Sequence, residues 1–413
     1  MPRLDAVVIK GTHNLGVPCL VLKAILRAPL LESFRLAEPL VRQEFLGSDD
    51  LQFQITPSLR HFSYINTDYY RLHPRRSQVE VHLVQAVLEE ASDSLETLIL
   101  PSEPTLSFDR FAWRSWRALR VLSLTGERPS QIPGQPLIST LSHMRCLRTL
   151  VLDFASRHGA VPEPIWPAEL DGDFPWPDLQ FLSIAFPHPD DQIYSHLPPS
   201  VSALRLCCWP RHYIHQSWPE LRTSAVLRWD SPVLGASELQ RILQRCASPH
   251  LYELDIEYKC DGEEMRLLAV LPRAFPYLTS FTLYRYRMSD AHIVDVAGLA
   301  RILAAFKRLR VLRVHLDFVS QPHPLFTVHS PASLSRMREA FAKYADIFAS
   351  ALAESARVVC FLDRQTAYNK WYPFRIVADS GDHRTAQLDW SVAEEYGIRF
   401  VVLLLSTSLA SLM

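Results

Sequence analysis

Glycine is scarce, with 12 residues in a chain of 413. No Gly-x-Ser-x-Gly, Walker loop or Gly-x-Gly-x-x-Gly is present, so neither a nucleophile elbow nor a glycine-rich phosphate cradle is written here. Net charge is scarce as well. The 43 Lys and Arg against 44 Asp and Glu leave −1, and no chain-wide cationic excess draws in a nucleic acid. The 7 cysteines (Cys19, Cys146, Cys207, Cys208, Cys246, Cys260 and Cys360) are odd in number and irregular in spacing, with no Cys-x-x-Cys. They fit reduced thiols in an intracellular compartment, cytoplasm or nucleus, better than a disulfide framework. The opening MPRLDAVVIKGTHNLG lacks a long apolar run and a cleavage signal, so no secretory peptide is expected.

What is present is apolar residue in a strict rhythm. Hydrophobic residues make up 48%, ample for a core. Leu-x-x-Leu-x-Leu or a near copy occurs in SLETLIL at 94, ALRVLSL at 118, CLRTLVL at 146, DLQFLSI at 178, HLYELDI at 250 and RLRVLRV at 308. YLTSFTL at 277 puts Phe in the middle slot. Looser copies are RLDAVVI, LESFRL, LRHFSY, VSALRL and ARVVCF, and a degenerate unit is expected at TSAVLRW, 223–229. Most steps fall within or near a period of about 20–29 residues. The last two leucines alternate with one exposed residue, as in a short strand buried on one face, and the first turns inward as the chain enters it. So short a strand needs identical neighbours beside it to bury its leucines. Before each strand, segments such as ASELQRILQRC and VAGLARILAAF carry apolar residues at helical spacing. The 30 prolines gather in connections such as VPEPIWPAELDGDFPWPDL.

These copies resemble the leucine-rich repeat family, and the irregular lengths with Pro-rich insertions resemble the repeat regions of fungal F-box proteins. The resemblance covers residues 3–361. It implies an α/β fold, an irregular leucine-rich repeat solenoid or horseshoe with short parallel strands inside and helices outside, over residues 1–361. A C-terminal cap or extension follows over 362–413. For function it implies a non-enzymatic scaffold that recognises a protein partner on its concave face. The F-box likeness implies, as the alternative, the substrate-recognition component of an SCF-type ubiquitin ligase, bound to a ligase adaptor. Two features depart from the family pattern. Glu103, Glu127, Ala155 and Pro187 stand where Asn or Cys usually satisfies the turn, and no Leu-Pro-x-Glu-Leu helix precedes the repeats.

Strand alternation aims the residues between leucines at the concave face. The early units offer Thr97, Ile99, Val121, Ser123, Thr149, Val151, Phe181 and Ser183, an apolar set. The later ones offer Arg205, then acidic Glu253, Asp255 and Glu257, then basic and aromatic Tyr284, Arg285, Tyr286, Arg287 and Arg313. Exposed aromatics and arginines are the types that carry interface energy. The protein-binding candidates are therefore Phe181, Arg205, Glu253, Asp255, Glu257, Tyr284, Arg285, Tyr286, Arg287 and Arg313.

Other clusters point less far. YINTDYYRLHPRR at 64–76 mixes tyrosine and arginine as a single-stranded nucleic-acid platform would, but reads as a surface loop. His188, His196, His212 and His215, with Cys207 and Cys208 among them, match no zinc spacing. Glu89–Glu90 and Glu263–Glu264 fall on amphipathic helices as solvated pairs. No enzyme activity, metal or cofactor is expected, nor a nucleic-acid partner. IRFVVLLLSTSLASLM (398–413) carries one charge, Arg399. As a helix it spans about 24 Å, short of an about 30 Å hydrocarbon core, so it is read as a buried capping strand or, alternatively, a tail anchor.

Overall fold

The leucine frame maps directly onto burial. Leu95, Leu98 and Leu100 are fully buried, as are Leu119, Leu122 and Leu124, then Leu147 and Leu150, then Leu179 and Leu182. The same holds for Leu251, Leu254 and Ile256 and for Leu309, Leu312 and Val314. Each such side chain removed from water stabilises the fold by about 1.5–3 kcal/mol. These positions come from a computed structural model that describes residues 4–10, 17–37, 52–65, 78–102, 109–112, 114–128, 135–157, 163–207, 229–230, 233–246, 248, 250–289, 293–318, 331–364, 369–378, 383–396 and 398. The described residues fall into two compact units divided between Ile193 and Tyr194, with Trp229 and Asp230 belonging to the first.

In the first unit, β1 (Ala6–Ile9), β2 (Ser33–Leu36), β3 (His61–Tyr64), β4 (Thr97–Pro101), β5 (Val121–Glu127), β6 (Thr149–Arg157) and β7 (Phe181–Ile184) pair side by side in chain order. Every pairing in that series is parallel. Helices lie in the crossovers from β1 to β2 (Cys19–Leu26), β3 to β4 (Gln78–Glu90), β4 to β5 (Asp109–Ala112) and β5 to β6 (Leu137–Leu141), whereas the described residues 163–180 ahead of β7 form turns and irregular chain. The helix Gln78–Glu90 buries Val79, Leu83, Val84 and Val87, one apolar stripe at helical spacing.

The second unit begins with β8 (Ala203–Leu206), which pairs in parallel with β10 (Glu253–Lys259). The parallel series continues through β11 (Ser280–Tyr286), β12 (Val311–His315) and β13 (Val358–Arg364). Then the direction reverses. β14 (Asn369–Ala378) and β15 (Arg384–Leu388) add on antiparallel, and the helix Pro331–Ala351 buries Phe341, Ala345 and Phe348. The helix Val296–Leu303 is capped by Asp295, whose carboxylate accepts the Gly298 N–H at 2.8 Å.

Both units are thus mixed α/β with an open sheet, built in a solenoid-like order of helix, turn and strand. The expected unit at 223–229 is corrected. β8 pairs directly with β10, so no strand stands between them. Trp229 instead opens a two-residue strand, β9 (Trp229–Asp230), that runs antiparallel to Ser156 and Arg157 of β6. The remainder of TSAVLRW lies outside the described residues.

The turns repeat as faithfully as the strands. The residue before each strand donates its backbone N–H to the carbonyl of its counterpart one strand back: Glu96 to Arg60, Arg120 to Glu96, Arg148 to Arg120 and Gln180 to Arg148, all at 2.7–2.9 Å. These positions therefore stack in a column at strand spacing, about 4.8 Å.

Candidate functional site

The faces opposite the leucines differ between the units. In the second, register aligns Ala203, Glu253, Ser280, Val311 and Val358 in one row, and Arg205, Asp255, Thr282, Arg313 and Cys360 in the next. A third row holds Glu257, Tyr284 and His315. Several of the expected binding residues therefore do share a face, and their charges alternate along it.

That face is covered by the chain's own C-terminal segment. Val392, Ala393 and Ile398 pack with Cys207, Tyr284, Tyr286, Val358, Cys360, Leu362 and Trp371, with Tyr396 at the margin. The Tyr284 and Trp371 ring centroids lie 6.0 Å apart. The Arg313 guanidinium donates to the Tyr396 carbonyl at 3.5 Å and to the Ser280 hydroxyl at 3.0 Å. The Tyr286 hydroxyl donates to Glu257 at 2.8 Å.

The cover sets the electrostatics. Burial pushes the thiols of Cys207 and Cys360 up to about 12, which keeps them protonated and poorly nucleophilic at neutral pH. Burial, and then the neighbouring Asp255 carboxylate, raise the Glu253 carboxyl. At the rim of the cover, a hydrogen bond from Arg375 at 2.7 Å, and next one from Ser391, hold Asp389 down at about 2. Arg375 also donates to Glu395 at 2.9 Å.

The exposure expected for the Tyr284–Arg287 run is not found. Tyr284, Arg285, Tyr286 and Glu257 are buried, while Arg205, Glu253, Asp255, Arg287 and Arg313 are half-buried. Arg285 faces the other way. It follows Phe281 and Leu283 on the leucine side and grips Glu264 of the helix Glu264–Ala274 with two bonds, Nε to Oε1 at 2.6 Å and Nη2 to Oε2 at 3.0 Å. Burial alone would raise the Glu264 carboxyl, but Arg285 outweighs it and holds it low. The Tyr258 hydroxyl donates to the same carboxylate at 2.9 Å. Glu264 is therefore a buried partner where a solvated helix face was expected. Arg287 pairs with Asp317 at 3.4 Å; Asp317 adopts a positive φ of 50°.

In the first unit the corresponding face is open to a greater degree. Its rows run Ser33, His61, Thr97, Val121, Thr149, Phe181 and Arg35, Ser63, Ile99, Ser123, Val151, Ser183. Arg35 and His61 are exposed. Thr97, Ile99, Val121, Ser123, Thr149, Val151 and Phe181 are half-exposed, and only Ser183 is buried, donating to Asp153 at 2.9 Å. Of this apolar set Phe181 is an expected binding residue, whereas Ile99, Val121 and Val151 carry neither the charge nor the ring that marks interface residues in a sequence.

Among the described residues no three His, Cys, Asp or Glu gather to hold a metal. His212, His215 and Cys208 lie outside those residues, as do 66–76 of the Tyr/Arg cluster and the apolar tail from 399. Tyr64, the first tyrosine of that cluster, is a core residue whose hydroxyl donates to buried Glu80. Among the described residues, no helix is long and apolar enough to cross a membrane. No family model matches the sequence, and no curated protein matches it either.

Proposed function

We propose that the chain is a non-enzymatic protein-recognition scaffold of the leucine-rich repeat type, binding through the inner face of its first unit. The observation that carries this reading is the half-exposed apolar set Ile99, Val121, Val151 and Phe181, spread over two adjacent rows of a parallel sheet. Such a set, edged by the hydroxyls of Thr97, Ser123 and Thr149, suits a partner that brings small apolar side chains. The second unit supplies the precedent for the occupant. Its own inner face accepts a short amphipathic protein segment through Val392, Ala393 and Ile398. The covered face also narrows the binding surface, since Tyr284, Tyr286 and Glu257 of the later strands are engaged within the chain.

The test is capture of the tagged full-length chain from its native cells, with co-purifying proteins identified by mass spectrometry. A partner held by the wild type and lost from Ile99→Arg and Val151→Arg supports the reading. Retention of the same partner by both variants overturns it. Stoichiometric recovery of a ubiquitin-ligase adaptor would replace the plain scaffold with a ligase subunit.

A further inference from the structure

Two successive turns of the first unit carry the same arginine pattern. Arg117-Ala118-Leu119-Arg120 leads into β5 and Arg145-Cys146-Leu147-Arg148 into β6. Leu119 and Leu147 are fully buried, which fixes both turns to the core. All four arginines are exposed, and the Arg148 N–H bonds the Arg120 carbonyl at 2.8 Å, so the second pair stacks on its counterpart. The neighbouring turns reverse the charge. Asp93 and Glu96 stand at the matching positions before β4, and Pro177 and Gln180, with Asp178 between them, before β7.

Acidic partners satisfy only the edge of this cluster. Glu96 sits 3.8 Å from Arg120 and takes Arg60 at 2.9 Å on its other side, while Glu89 is 3.7 Å from Arg114. Arg117 donates to the Ser115 hydroxyl at 3.2 Å. Among the described residues Arg117, Arg145 and Arg148 form no ion pair. At Arg117 opens a shallow hollow of about 510 Å³, lined by Ala112, Arg114, Ser115, Trp116, Arg117 and His143, which precedes Arg145 by two residues. Trp116 is buried and anchored, its indole N–H donating to the Phe111 carbonyl at 3.0 Å, so the wall is fixed.

We infer that these two turns form a binding site for a phosphorylated protein segment, with a phosphoserine or phosphothreonine in the hollow. Exposed arginines gathered without matching carboxylates suit a dianionic phosphate, which guanidinium groups grip through paired, charge-assisted hydrogen bonds. The breadth of the patch decides the class of ligand. It covers two adjacent turns, one strand spacing apart, and is flanked by carboxylates on either side, so it matches a single phosphate. A nucleic acid or an anionic membrane carries charge continuously and would meet Asp93, Glu96 and Asp178 repulsively. The hollow's Ala112 and Trp116 leave room for an apolar side chain next to the phosphate. The site lies on the turn edge, apart from the inner face, and does not rest on the function proposed above.

Fluorescence anisotropy on the full chain tests this, using a labelled peptide pool with one central phosphoserine and randomised flanks. The expected result is binding at least about tenfold tighter than to the dephosphorylated pool, weakened by added salt and displaced by inorganic phosphate. The double variant Arg117→Glu/Arg145→Glu, folded by circular dichroism, should lose that preference. Arg60→Ala, beyond Glu96 on the same column, should keep it. Equal affinity for both pools, no binding of either, or full retention by the double variant overturns the inference. So does tighter binding to phosphatidylcholine vesicles doped with phosphatidylinositol phosphate than to the phosphopeptides.

Discussion

The two units are built by one rule and finished by opposite ones. In both, the leucine frame fills one side of parallel strands and leaves every second residue to the other side. In the first unit that second side remains half-exposed along Thr97, Ile99, Val121, Val151 and Phe181. In the second its far part is covered by Val392, Ala393 and Ile398, with Thr282, Tyr284, Tyr286, His315 and Cys360 buried, while Arg205, Glu253, Asp255 and Arg313 stay half-buried. A repeat pattern therefore specifies the core side of a strand strongly and its opposite side hardly at all. What becomes of that opposite side is decided by residues far away in the chain.

The sharpest way to break the second unit is through its leucine side. Glu264→Ala strands the Arg285 guanidinium in the core, and loss of one partner of a buried pair costs about 3–5 kcal/mol. Replacing both, as Glu264→Leu/Arg285→Met, should restore most of that stability. Denaturant unfolding of the two variants measures the difference, and equal losses would show that the pair is not the cause.

The first unit allows the cleanest contrast between adjacent residues. Leu98→Ala removes a fully buried frame residue and should cost about 2–5 kcal/mol. Ile99→Arg, one position on and facing outward, should change stability by about 0.5 kcal/mol or less. If the two variants unfold at the same denaturant concentration, the assignment of sides fails.

Val392→Ala asks how firmly the cover is seated. Trimming this buried side chain should cost about 1–2 kcal/mol and open the segment more often. Cys207 and Cys360 should then react faster with a thiol reagent, while Cys246, buried outside that cluster, keeps its wild-type rate. Peptide-resolved labelling measures it; a uniform rise in all three would mean global unfolding instead.

The smallest effect is the rim ion pair. Asp389 is held at about 2, below the roughly 3.9 of an unfolded chain. Its contribution is therefore present above pH 4 and lost as pH falls from 4 toward 2. Thermal melts should show wild type and Asp389→Asn converging across that window. A gap that stays constant with pH would rule out the carboxylate charge as its source.

The fold was legible because each frame residue is apolar and each is buried; Leu95, Leu98 and Leu100 needed only counting. Arg285 was legible by the same counting, being two places beyond Leu283, but its charge drew it to the wrong side. The cover was not legible. SVAEEYGI is a short amphipathic stretch, and nothing local to it indicates that Val392 meets Cys207 and Tyr284. The slot beside β8 misled for a similar reason. TSAVLRW has strand-like residues, yet Trp229 and Asp230 pair with β6, a choice set by tertiary pairing and not by propensity.

The column of residues ahead of the strands has an evolutionary consequence. Each of its places can change without disturbing the leucine beside it, so the column behaves as a strip of independently editable letters. Losing the helix-and-strand unit that ends in β6 would set Arg117 and Arg120 next to Pro177 and Gln180, halving the arginine block in one step. Gaining a copy would lengthen the block just as abruptly. Lineages carrying different numbers of units would then inherit one architecture with different surface spellings.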